Sequence, residues 1–244
     1  MKPSYAVSAF FPSYNEWGTI SSMVAATSHI LESMEIDHEI IVIDNGSNDY
    51  SDIIFPELKK RYPKLRVIRF DKNQGYGGAL RAGFANSKND VIFYTDADAQ
   101  YDIKKLRQAL ESLDENTDMV TAYKTNRADE LHRYILGTAY QYFVRLMFKI
   151  KTKDIDCDFR IIRKKVFDNI ELESKTGVIC VELIKKIETN GHKIKEIPIK
   201  HFSRAFGKSQ FFNIKQVSLT LYSLYKLWTK LVLNKKKSTI TSKL

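Results

Sequence analysis

Short apolar runs recur along the chain, each closed by a polar or turn-forming residue. Residues 5–11 (YAVSAFF) stop at Pro12, and residues 39–43 (EIIVI) stop at Asp44. Between them Ile20, Val24, Ala25, Ile30, Leu31 and Met34 fall at helical spacing and predict a helix over 19–35. Residues 65–70 (LRVIRF) and 91–95 (VIFYT) predict two further strands, with a glycine-rich turn and a helix around 78–85 between them. A helix over 103–113 and a strand over 119–123 follow, then helices over 134–150 and 177–189. Strands that are apolar almost throughout, alternating with helices, predict an α/β fold whose parallel sheet is covered on both faces. In such sheets ligands gather at the carboxyl ends of the strands. Those ends carry residues 12–16, 44–49, 73–78 and 96–100, so one edge of the sheet is a candidate nucleotide or phosphate site.

The C-terminal end has a different pattern. Ile214, Val217, Leu221, Leu224, Trp228, Leu231 and Val232 lie within roughly one third of a helical circumference, with Lys215, Lys226 and Lys230 opposite. This predicts a C-terminal amphipathic helix, too interrupted for a span of about 20 apolar residues. Charge sharpens the contrast. Residues 197–244 hold ten Lys or Arg and no Asp or Glu, whereas the preceding 196 residues hold 29 of each sign. The whole net charge of +10 therefore sits at that end and suggests an anionic partner. An apolar stripe with a Trp and a basic face suits an anionic membrane surface; packing on the domain or on a second subunit is the alternative. No nucleic-acid motif accompanies the basic groups, so no nucleic-acid partner is expected. The chain divides on this reading into a domain over 1–210 and a basic helix and tail over 211–244. Cys157 and Cys180 form no CxxC and are expected to be buried thiols in a reducing compartment. Pro12 cuts the first apolar run too short for a signal peptide, so the expected location is cytoplasmic.

The candidate chemistry lies in VIFYTDADAQYD, residues 91–102. Alternation along an extended strand end would put Asp96 and Asp98 on one side of the chain, able to meet a single cation. Mg2+ or Mn2+ is held in this way by one or two carboxylates, with substrate phosphates completing its shell. Gln100 stands at the next same-face position as a neutral oxygen donor. A plain turn after a strand reads the same residues without function. Asp44, closing the second strand, can accept a hydrogen bond from a base or ribose. The segment NQGYGGALRAG invites a dinucleotide reading, but GxGxxG from Gly75 and Gly77 requires a glycine where Leu80 stands. The glycines are better explained by close approach of a helix to the sheet.

Together FPSYNE (11–16), VIDNGSND (42–49), NQGYGGALRAGF (73–84) and TDADAQ (95–100) resemble the successive motifs of family 2 glycosyltransferases with a GT-A fold. DIDCDFRIIRKKVF (154–167) and EIPIKHFSRAFGKS (196–209) resemble later motifs of dolichol-phosphate mannose synthase and bacterial polyprenyl-phosphate transferases. The resemblance implies a mostly parallel, Rossmann-like sheet and a metal-dependent, inverting transfer. The donor would be a UDP- or GDP-sugar and the acceptor a polyprenyl (dolichyl or undecaprenyl) phosphate. It assigns Pro12, Tyr14, Glu16 and Asp44 to the base and ribose, and Asp96, Asp98 and Gln100 to Mg2+ or Mn2+. Arg204, Lys208 and Ser209 would close over the diphosphate, and Arg133 would take the acceptor phosphate. Three positions depart from the family pattern. Asn45 replaces a second acid, Asp158 replaces a glycine, and no proline follows Gln100.

A phosphate acceptor is already anionic and needs only to be positioned by arginines. A hydroxyl acceptor, as on a glycan or a lipid-linked oligosaccharide, needs a general base. Glu182, where the family often keeps an acid, is the candidate for that role.

Overall fold

The structure is a computed structural model that describes residues 4–127, 131–206 and 214–233, those at 126, 127, 131–134 and 214–217 by backbone alone. Seven strands form one sheet: β1 (Val7–Ser13), β2 (His38–Asp44), β3 (Leu65–Arg69), β4 (Val91–Thr95), β5 (Met119–Arg127), β6 (Phe159–Arg163) and β7 (Ile194–His201). Their order across the sheet is β3-β2-β1-β4-β6-β5-β7. β1, β2, β3 and β4 run parallel, as do β5 and β7, and β6 runs against both its neighbours. The expected α/β architecture with a mostly parallel sheet is therefore present.

Among the described residues seven α-helices cover the sheet: α1 (Trp17–Ser33), α2 (Ser51–Arg61), α3 (Tyr76–Asn86), α4 (Lys105–Glu111), α5 (Leu131–Phe148), α6 (Ile179–Thr189) and α7 (Ile214–Trp228). Alternation along the buried strands divides the core in two. Phe11, Val42 and Phe93 face α1, α2 and α4; Phe10, Ile41 and Tyr94 face α3, α5, α6 and α7. Gly83 admits the second layer, because a Cβ there would lie 2.3 Å from the Phe10 ring, the close approach of helix to sheet expected of these glycines. Cys157 and Cys180 are free and buried, as expected.

α2 carries only Phe55 and Leu58 as buried apolar residues, too few for a helical period to show in the sequence. In α7, Leu224 and Leu227 are buried, with Trp228, Leu231 and Val232 against the same core. Trp228 Nε1 donates to Met147 O at 3.0 Å, tying the end of α7 to α5. Of the predicted stripe, the part from Leu224 onward packs on the domain, while Leu221 stays exposed. Among the described residues no helix is long and apolar enough to cross a membrane.

Candidate active site

β4 ends at Thr95 because the chain turns there, with Ala99 in the left-handed region at φ 57°. The extended strand end expected through Asp98 is thus replaced by a turn, which sends its two aspartates to different neighbours. Tyr76 Oη, from the first residue of α3, donates to Asp96 Oδ1 at 2.7 Å. Arg204, on the loop after β7, donates from Nη2 to Asp98 Oδ2 at 2.8 Å and from Nη1 to Glu16 Oε1 at 2.5 Å. One guanidinium thus joins the first and fourth strand ends. Gln100, expected to face a metal, makes a further contact through its amide nitrogen. Its Nε2 donates to Phe202 O at 3.0 Å and its carbonyl accepts from Phe202 N at 2.8 Å, which fixes the Arg204 loop to the turn.

The electrostatics are those of crowded, dehydrated acids. Burial pushes the Asp96 carboxyl well above the usual range, and the charges of Asp158 and Asp98 push it further. Burial also raises Asp98 and Glu16, and for both Arg204 opposes the shift without cancelling it. Tyr76 is pushed up by burial and by Asp158 and Asp96, so its phenol stays a donor. Among the described residues, three buried polar atoms at these strand ends have neither a hydrogen-bond partner nor an ion pair: Ser13 Oγ, Glu16 Oε2 and Thr95 Oγ1. Buried acceptors left unpaired cost about 1–3 kcal/mol each, so the edge is built for a polar ligand. Oxygen donors alone fit a hard divalent cation, and Asp96 with Asp98 supplies the one or two carboxylates Mg2+ or Mn2+ takes beside phosphate oxygens. Among the described residues no group of three or more His, Cys, Asp or Glu is placed to hold a metal unaided.

The β2 end is braced from both sides. Asp44 is fully buried, accepts from Ser47 N at 2.9 Å and lies 3.3 Å from Arg69 Nε. Asn45 donates to Asn73 Oδ1 and Gly75 O, both at 3.2 Å, and accepts from Gln74 N at 2.8 Å. Two of its partners are acceptors, which is why an amide and not a second acid stands here. Pro12 lies within β1, with Tyr14 beside it, and both belong to the same edge.

Other expected residues fall elsewhere. Glu182 is 1% exposed and committed: it accepts from Ser174 N at 2.8 Å, Glu173 N at 3.1 Å and Lys186 Nζ at 2.6 Å. It holds the loop before α6, a position that does not suit a general base, because its oxygens are already occupied. Asp158 pairs with the fully buried Arg160 at 2.8 Å and accepts from Tyr94 Oη and Cys180 Sγ, each at 3.2 Å. An acid in place of the family glycine is thus balanced by an arginine two residues on. Arg133 lies in α5, but its side chain is outside the described residues, as are Lys208 and Ser209. Tyr76, Ser13 and Thr95 escaped the sequence reading. Only the position of Tyr76 between two glycines signalled it.

The comparisons agree with this geometry. The model of a family described as Glycosyl transferase family 2 matches residues 8–171, which include every acid of the edge. The undecaprenyl-phosphate 4-deoxy-4-formamido-L-arabinose transferase of Edwardsiella ictaluri (strain 93-146) is 29% identical over 224 residues, 89% of this chain and 66% of that protein. The enzyme of the same name from Salmonella choleraesuis (strain SC-B67) is 26% identical over 223 residues, 91% of this chain and 67% of its own. The chain thus spans about two thirds of the length of these curated relatives. Glucosyl-3-phosphoglycerate synthase from Mycobacterium tuberculosis, in complex with Mn2+, UDP-glucose and phosphoglyceric acid, superposes with a TM-score of 0.69. It is 14% identical, over 93% of this chain and 79% of that one, a likeness of fold. The order of the strand-end motifs, the buried acids they assemble and a match over most of the length have one reading: this chain belongs to glycosyl transferase family 2.

Proposed function

We infer that the protein transfers a sugar, with inversion, from a nucleotide-diphosphate sugar to a polyprenyl phosphate. The observation that carries this reading is the Arg204 bridge between Glu16 and Asp98, set among three unpaired buried polar atoms. Asp44 and the β1 end would take base and ribose through Pro12, Tyr14 and Glu16. Asp96 and Asp98 would hold Mg2+ or Mn2+, which neutralises the diphosphate as a leaving group when bound. Arg204 would exchange one carboxylate for a diphosphate oxygen, and Lys208 and Ser209 would join it in that role. Support for the metal comes from the mycobacterial synthase, whose structures contain Mn2+ or Mg2+ with UDP.

The names of the two curated relatives support a lipid-phosphate acceptor, and so does the commitment of Glu182 to its loop. An anionic phosphate attacks without a base, whereas a hydroxyl would need one. Arg133 would position it. A peripheral location on the cytoplasmic membrane face is supported by exposed apolar side chains on two joined helices. These are Tyr142 and Leu146 on α5, each 71% exposed, and Tyr222 and Tyr225 on α7 at 66% and 59%.

The test mixes purified protein with labelled UDP- and GDP-sugars, Mg2+ or Mn2+, and polyprenyl phosphate in detergent. Label is expected in the organic phase and is lost with Asp98→Ala. Metal-dependent nucleotide release without lipid label would move the acceptor to a hydroxyl. Absence of both would overturn the reading.

A further inference from the structure

Among the described residues, Tyr76 is the side chain that reaches Asp96 with a hydrogen bond, and its backbone is gripped from two directions. From one side comes the loop before α6. Gly77 N donates to Lys175 O at 3.0 Å. A Cβ at Gly75 would stand 2.3 Å from Lys175 O, and one at Gly77 would stand 2.2 Å from Ser174 O. The glycines on either side of Tyr76 therefore exist to let this loop close on it, and Glu182 holds the loop in place through Glu173 N and Ser174 N. From the other side Asn45 takes Gly75 O and Gln74 N. The phenol leaves this clamp in one direction and meets Asp96 Oδ1 at 2.7 Å.

We propose that Tyr76 is a positioning residue for the metal-holding aspartate: it occupies Asp96 Oδ1, turns the carboxylate and leaves Oδ2 as the oxygen presented to the cation. The proposal rests on the metal-dependent reading above. A hydrogen bond of this kind orients a ligand before the cation arrives, and outer partners of this kind are typically worth about 10–100-fold in metal affinity. It also gives the glycine-rich segment a purpose beyond helix packing, since the clamp fixes the angle at which the phenol reaches the turn.

The test uses the full chain and Tyr76→Phe, which keeps the ring and removes only the hydroxyl. Mn2+ is titrated alone, with UDP and with GDP, and free Mn2+ is followed by electron paramagnetic resonance, with thermal unfolding in parallel. The expected result is Mn2+ affinity in the presence of nucleotide weakened about tenfold. In turnover the Mn2+ concentration for half-maximal rate rises, while kcat at saturating Mn2+ stays close to wild type. Unchanged Mn2+ affinity overturns the proposal, and does so equally if the variant melts at a lower temperature, because the bond would then be merely structural. Wild-type protein that binds no Mn2+ with either nucleotide overturns this proposal and the metal-dependent reading together. Wild-type binding with an indifferent Tyr76→Phe overturns this proposal alone.

Discussion

Arg204 meets two carboxylates with one planar group, each taken by a separate nitrogen, which a lysine's single ammonium cannot reproduce. Arg204→Ala leaves Glu16 and Asp98 facing each other without a counter-charge. It is expected to lower transfer about a hundredfold or more, read as initial rate at fixed sugar nucleotide and Mn2+; Arg204→Lys is expected to recover only part. Asp156 gives a pH signature. Burial pushes its carboxyl up to about 6, whereas in the unfolded chain it titrates near 3.9. The fold thus keeps this proton at pH values where the unfolded chain has lost it. Its contribution is most favourable below about pH 4 and is lost as the pH rises through 6. Asp156→Asn stays neutral throughout. It is expected to be more stable than wild type at pH 7.5, by about 3 kcal/mol at most, and to match it at pH 4. Chemical denaturation at the two pH values measures the difference. Asp96 and Asp98 were legible in the sequence because two acids one residue apart after an apolar run resemble the family's metal motif. Their divergence was not, since it depends on the turn at Ala97 and Asp98, which composition does not announce.

β1 to β5 were legible for a plain reason: apolar runs stand out in a covered sheet; β6 and β7 were not read as strands, and in β7, at the sheet edge, polar and apolar residues mix. α1, α3 and α6 showed their period because each buries a continuous stripe. α2 did not, with charged residues in its last turn and Pro56 in its interior. The turn after β2 illustrates what residue identity alone conceals. Asn45 looks like the loss of an acid, yet its amide links β2 to the glycine-rich turn by donating to two oxygens. Asn45→Asp restores the family's residue and sets a carboxylate against those acceptors. It is expected to destabilise the chain by about 1–3 kcal/mol, measured by urea unfolding, and to loosen α3 where Tyr76 begins. A variant as stable as wild type would show that the turn holds without the amide.

The whole molecule is more than its recognisable part. The family match ends at residue 171, before α6, β7 and α7. α6 alone buries Ile179, Val181, Leu183, Ile184 and Ile187 against the sheet. A fragment of residues 4–171 exposes that face and takes β7 from the edge of β5, so it is expected to lack a cooperative thermal transition, followed by circular dichroism. The Arg204 bridge spans 106 positions to Asp98 and 188 to Glu16, which sets an order in time. Contacts so distant in sequence close late, after local helices and neighbouring strands have formed. During synthesis the first four strands emerge with Arg69 able to answer Asp44 but no guanidinium for Glu16 and Asp98. Only when residue 204 of 244 has been made does the counter-charge exist. The strand ends of β1 and β4 therefore carry Glu16 and Asp98 without their bridge until the loop after β7 has been made.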